Sequence, residues 1–274
     1  MKQAGPIAVF DSGYGGLTVL DKIRHHLPQY DYIYLGDNAR TPYGTRSFEV
    51  VYEYTLEAVK KLFDMGAHLV ILACNTASAK ALRNIQQKDL PLIDPERRVL
   101  GVIRPSIEMV DQLSKSKHVG VLGTVGTVQS ESYPIEINKL FPEVVVTQEA
   151  CPMWVPLVEN NEFKKEGADY FVDQHIKRIL TKDSLIDTLI LGCTHYPLLM
   201  DKIRKHLPDA INVVEQGDIV GESLKDYLMR HPEMEKKCSK GGTVHFYTTE
   251  QTKKFKQTAG IFFEGELNVE HVVL

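Results

Sequence analysis

Two stretches of the chain carry the same local arrangement of chemically capable residues. His68-Leu69-Val70-Ile71-Leu72-Ala73-Cys74-Asn75-Thr76 and Asp187-Thr188-Leu189-Ile190-Leu191-Gly192-Cys193-Thr194-His195 each read as an apolar strand, a cysteine, a polar pair and then a helical pattern. A thiol at the carboxyl end of a strand, just before a helix, lies where open α/β sheets bind ligands. Helix N-terminal N–H groups and nearby cations lower a thiol's pKa and make it useful as a base. Asn75, Thr76 and Ser78 suit the capping of the first helix, and Pro197 suits the first turn of the second. An isolated cysteine beside a strand is ordinarily a small buried hydrophobe, which is our reading of Cys151 and Cys238. Cys74 and Cys193 stand apart because one pattern occurs twice, flanked by side chains that donate hydrogen bonds instead of packing. Two matched thiols suit the inversion of a stereocentre, in which one group removes a proton from one face of a carbon and another delivers a proton to the opposite face. Such a pair titrates as a unit, one member a thiolate and the other a thiol at the start of turnover.

The elements that must position these cysteines alternate between short β-branched runs and helix-length amphipathic ones. Ile7 to Phe10, Tyr32 to Leu35, Leu69 to Ala73, Val99 to Ile103, Val119 to Leu122, Val144 to Thr147, Leu189 to Leu191 and Ile211 to Val214 read as strands. Val51, Tyr54, Ala58, Leu62 and Met65 recur at helical spacing before Gly66, which closes the end. This rhythm means an α/β fold with mostly parallel sheets flanked by helices. The cysteine repeat, with Asp11 to Gly16 and Gly123 to Thr127 as a second corresponding pair, implies two pseudo-symmetric lobes facing each other across a cleft that holds the site. The late segment reads as a helix (Ile219 to Met229), a strand (Val244 to Thr248) and a helix opened by the capping-box spacing Thr248-x-x-Gln251, and it fits either lobe.

A chain of 274 residues is near the size at which a single core stops growing, in keeping with two lobes. A formal net charge of -4 gives no basic footprint, so no nucleic-acid partner is expected and the ligand is small. Met1 to Pro6 lead straight into an apolar run too short for a signal-peptide core or a membrane span, which places the protein in the cytoplasm without a membrane partner. Four cysteines in a chain of this length are not a disulfide framework, and a reducing compartment keeps them as thiols. Gly13-x-Gly15-Gly16 has Thr18 in place of the third glycine of a dinucleotide fingerprint. We therefore read this turn as backbone N–H groups opened towards a small carboxylate.

Asp11-Ser12-Gly13-Tyr14-Gly15-Gly16-Leu17-Thr18, Pro42-Tyr43-Gly44, Ala73-Cys74-Asn75-Thr76-Ala77 and Gly192-Cys193-Thr194-His195-Tyr196-Pro197, in that order across most of the chain, resemble the glutamate racemases. Thr124-x-x-Thr127-x-x-Ser130-x-x-Tyr133 and Pro156-Leu157-Val158-Glu159 add to the likeness. The chain departs from the family pattern at Arg104 and at Val214-Glu215-Gln216, which bears on lobe contacts or assembly.

The resemblance implies cofactor-independent interconversion of L- and D-glutamate for peptidoglycan, with neither pyridoxal phosphate nor a metal. Cys74 and Cys193 are the implied acid–base pair, assisted by Asp11 and His195 respectively. Ser12, Asn75, Thr76 and Thr194 would hold the substrate's polar groups together with Asp11 and His195, and Tyr43 and Gly44 would contact it through the backbone. Thr124 and Thr127 could extend this lining, whereas Glu159 reads first as an exposed carboxylate at a helix end. The family returns the C-terminal tail to the first lobe, giving residues 1–97 plus 212–274 as one lobe and 98–211 as the other, and it often forms homodimers. The alternatives are an aspartate racemase of the same superfamily, a zinc or thiol-redox protein using Cys193-x-His195, and a non-catalytic amino-acid-binding protein on the same fold.

Overall fold

The apolar runs fold as strands, and every strand pairing is parallel. The computed structural model describes residues 3–274; residues 1 and 2, where the expected lead-in starts, lie outside the described residues. The strands are β1 (Ile7–Asp11), β2 (Tyr32–Gly36), β3 (Leu69–Leu72), β4 (Arg98–Gly101), β5 (His118–Gly123), β6 (Val145–Ala150), β7 (Thr188–Gly192), β8 (Asn212–Val214), β9 (Val244–Thr248) and β10 (Val269–His271). They form one sheet in the order β10-β9-β2-β1-β3-β4 and a second in the order β6-β5-β7-β8. The order β2-β1-β3-β4 thus recurs as β6-β5-β7-β8, so the repeated cysteine segments follow corresponding strands, β3 and β7.

Burial explains the continuous apolar character of the central strands, because β1, β2, β3 and β7 are covered on both faces. Alternate residues serve different cores, as the two-residue strand period requires. Ala8 and Phe10 join Val70 and Leu72 beneath the Phe48–Asp64 helix. Ile7 and Val9 face a core that continues to Leu122, Leu189 and Leu191 of the second sheet. One apolar mass therefore joins the lobes. The Phe48–Asp64 helix begins at Ser47, whose side chain accepts from Val50 N, and Gly66 follows its end. Among the described residues, no helix is long and apolar enough to cross a membrane.

Hydrogen-bond partners, more than apolar pattern, decide which sheet a strand joins, and they move the changes of lobe a few residues downstream of 97/98 and 211/212. Arg98 to Gly101 pair with Leu69 to Leu72, so β4 belongs to the first sheet. Asn212 to Val214 pair with Thr188 to Ile190, so β8 belongs to the second. The tail then returns to the first lobe: the Gln216–Arg230 helix packs along the Gly16–His26 helix, and β9 pairs with β2. The expected capping box at Thr248 does not form. Thr248 ends β9, buried, and its hydroxyl donates to Asn38 Oδ1 at 2.9 Å, while the Thr252–Ala259 helix begins after Gln251 without a side-chain cap. Ile103, expected to end a strand, opens the Ile103–Glu108 helix instead.

The glycine turn after β1 packs directly against the strand end of the second lobe. A Cβ on Gly15 would lie 2.2 Å from Thr194 Oγ1 and 2.5 Å from His195 Nδ1, so no larger residue fits without moving the second lobe's strand end. Gly15→Ala is expected to destabilise the fold by the ~1–3 kcal/mol typical of overpacking, read as a lower urea midpoint. An unchanged midpoint would mean that the lobes separate there at no cost.

Candidate active site

The carboxyl ends of β1, β3, β5 and β7 converge on one cavity of about 90 Å³ between the lobes. This is small beside the ~300–1,000 Å³ of pockets for drug-sized ligands. Asp11, Ser12, Tyr43, Gly44, Cys74, Asn75, Thr76, Cys193, Thr194 and His195 all line it, whereas Thr127, read in the sequence as a possible extension of the lining, does not reach it. Thr124 and Glu159 line it too, as does Cys151, which is buried. A wider groove of about 600 Å³ lies elsewhere, beside the Ile103–Glu108 and Gln216–Arg230 helices, and contains neither Cys74 nor Cys193.

Cys74 caps the Asn75–Lys80 helix: its Sγ accepts from Ala77 N at 3.4 Å and lies 3.3 Å from Ser12 Oγ. These contacts favour negative charge on sulfur, as expected for a helix start. They are outweighed. Burial pushes the Cys74 thiol up to about 12, with the Asp11 charge adding to it, so this sulfur is protonated at neutral pH. The expected lowering of its pKa is therefore reversed by desolvation. Asp11 is itself buried, and burial raises its pKa as well. Its Oδ2 accepts from Gly13 N at 3.0 Å, and Gly16 N–H also bonds the carboxylate, while among the described residues Oδ1 has no hydrogen-bond partner. The glycine turn thus directs amides at the protein's own carboxylate, not only at an incoming one.

Cys193 meets the opposite sign of charge. His195 Nδ1 lies 3.8 Å from Cys193 Sγ, and His195 Nε2 lies 3.0 Å from Glu159 Oε1. Burial alone would push the imidazolium down, but the hydrogen bonds to Cys193 and Glu159 outweigh it and raise the His195 pKa to about 10. Glu159 ends the Trp154–Glu159 helix, as the sequence implied, yet it is half-buried and paired instead of being a free surface carboxylate.

The polar lining is held from behind. Asn75 Oδ1 accepts from Tyr133 OH at 2.8 Å, and its Nδ2 donates to Gln216 Oε1 at 2.6 Å. Gln216, one of the departures from the family pattern, also donates to Val102 O, Ser106 Oγ and Tyr133 OH. Asn75 is thus anchored first and retains only part of its hydrogen-bonding capacity for a ligand. Thr76 Oγ1 lies 2.9 Å from Thr124 Oγ1 and 3.4 Å from Thr127 Oγ1, joining the lobes through hydroxyls. Asp37, which the sequence did not single out, is buried and accepts from Tyr43 OH, Arg40 Nε and Thr249 Oγ1. Its only sequence signal is position, just past the end of β2. Arg104 pairs at the surface with Glu108 and Glu136, away from the cavity.

The charge on His195 sets a pH dependence. A folded-state pKa of about 10, above the ordinary 6.5, gives stability that is complete below pH 6.5 and lost as the pH rises towards 10. The difference in urea midpoint between the wild type and His195→Asn is expected to shift steadily against the wild type across that range. A difference that stays flat would contradict the charge.

Comparison with known proteins agrees with this geometry. The model of the Asp/Glu/Hydantoin racemase family matches residues 17–220. A glutamate racemase of Bacillus cereus is 38% identical over 275 residues, covering 100% of this chain and 99% of the relative. One from Streptococcus agalactiae serotype III is 37% identical and covers 98% of both chains. Among solved structures, a glutamate racemase isoform from Bacillus anthracis superposes with a TM-score of 0.90 at 33% identity, covering 100% of this chain and 99% of that one. A glutamate racemase from Francisella tularensis, solved in complex with D-glutamate, gives 0.87 at 31% identity, with 99% and 98% covered. An aspartate racemase from Picrophilus torridus, at 17% identity and a TM-score of 0.53, shares the fold alone. With the family model matched over most of its length and relatives 37–38% identical over nearly the full chain, this chain belongs to the Asp/Glu/hydantoin racemase family, among its glutamate racemases.

Proposed function

We propose that the protein interconverts L- and D-glutamate by passing the α-proton between two cysteines. The observation that carries this reading is the lining of one small buried cavity by Cys74 and Cys193, each following the corresponding strand of its own sheet. A substrate α-carbon between the two sulfurs would lose its proton to one and gain a proton from the other. Cys74, protonated and facing Asp11, starts as the acid; Cys193, beside the His195 imidazolium, starts as the base, and the roles exchange in the reverse direction. Ser12, Thr76, Thr194 and the free valences of Asn75 hold the carboxylates and ammonium, with backbone contact from Tyr43 and Gly44. Fixed donors in a water-poor cavity stabilise the carbanion-like transition state, and the cysteines supply both proton transfers without pyridoxal phosphate or metal. The product is D-glutamate for peptidoglycan, made in the cytoplasm by a homodimer.

Circular dichroism of L-glutamate should decay to zero with the purified protein alone, while aspartate is left largely untouched; a preference for aspartate would reverse the assignment. Cys74→Ala and Cys193→Ala should each abolish racemisation with the fold intact, and near wild-type turnover by either variant would refute the two-base mechanism. In ²H₂O, the product should acquire deuterium at the α-carbon. Full retention of the substrate's own proton would argue against thiols that exchange with solvent.

A further inference from the structure

Lys80 ends the helix that Cys74 begins. Its residue is only 7% exposed, and its Nζ donates to the backbone carbonyl of Arg46 at 2.7 Å. Among the described residues no carboxylate pairs with it directly; Glu49 acts on it at longer range, and burial pushes its pKa down. A buried ammonium with a neutral carbonyl as its partner is an unfavourable arrangement unless it does something that an apolar side chain cannot.

The surroundings indicate what that is. Arg46 follows the loop whose Thr41, Pro42, Tyr43, Gly44 and Thr45 line the catalytic cavity, and Arg46 N donates to Tyr43 O at 3.1 Å. The same loop is bonded to the opposite lobe, because Gly126 N donates to Gly44 O at 2.7 Å. A Cβ on Gly126 would lie 3.0 Å from both Gly44 O and Lys80 Nζ, so cysteine helix, loop and second-lobe turn meet at one point. Lys80 also lines the wider groove on its outer side.

We propose that Lys80 is a positioning residue for racemisation: its ammonium fastens the Thr41–Arg46 loop against the Gly126 turn and so holds Tyr43 and Gly44 at the substrate. This rests on the glutamate-racemising reading above. Acting through the loop and not on either face of the α-carbon, Lys80 affects the binding of both enantiomers alike.

Lys80→Met, which removes charge and donors at similar length, is expected to raise KM for L- and D-glutamate together by roughly tenfold, as befits losing a hydrogen bond from a charged group, with kcat within about threefold. Amide hydrogen exchange should quicken at residues 43–46 and not in β3. Lys80→Arg, which keeps charge and donors, should return KM towards the wild-type value. Unchanged KM and loop exchange with only a lower melting temperature would overturn the proposal, as would a collapse of kcat at constant KM. Should Lys80→Met fail to fold, Gly126→Ala decides, since it presses on the same junction from the other lobe: a rise in KM supports the proposal and an unchanged KM overturns it. Wild-type turnover of glutamate is the control. Its absence defeats the functional reading, whereas its presence with a wild-type-like Lys80→Met defeats only the role of Lys80.

Discussion

Everything at the site depends on two strand ends from separate sheets coming close enough to enclose one small volume. The backbone at Gly15 permits this by letting the first lobe touch Thr194 and His195 with no side chain between them. The approach is held by groups that belong to both lobes: the Thr76, Thr124 and Thr127 hydroxyls, the Gly126 to Gly44 bond and the apolar core running from β1 to β7. Packed interiors deform little, so a contact of this kind fixes the cavity's dimensions as well as its existence.

The lobes repeat each other in strand order but not in charge. Corresponding cysteines follow β3 and β7, yet one faces a buried carboxyl and the other an imidazolium paired with Glu159. Desolvation dominates at Cys74 despite a helix start that favours the anion. At His195, hydrogen bonding dominates despite desolvation. Burial is common to both sites, and the sign of the neighbouring charge makes them differ.

The parts of this arrangement that are local in sequence could be read from the sequence. Apolar runs mark strands, and cysteines at repeated strand ends point to one cleft because parallel strands place their carboxyl ends on the same side. Glu159 is separated from His195 by 36 positions and Gln216 from Asn75 by 141, and no local pattern announces either pairing. The assignment of β4 and β8 to sheets was hidden for the same reason, since it depends on which neighbour supplies the backbone partners. Thr248 has a sound capping spacing, but its hydroxyl is engaged by Asn38, a competition that propensity does not register. The short edge strand β10, three residues long with two of them exposed, has too little alternation to be seen.

The unequal surroundings of Cys74 and Cys193 have a consequence for the empty enzyme. If the α-proton passes between the two sulfurs as proposed, the molecule that releases D-glutamate differs from the one that accepted L-glutamate by the location of a single hydrogen. Were the lobes alike in charge, these two states would be isoenergetic, matching a reaction whose equilibrium favours neither mirror image. With Asp11 on one side and His195 on the other, one tautomer of the pair lies lower, so in the proposed mechanism the return of the free protein to its starting form is downhill for one direction of inversion and uphill for the other.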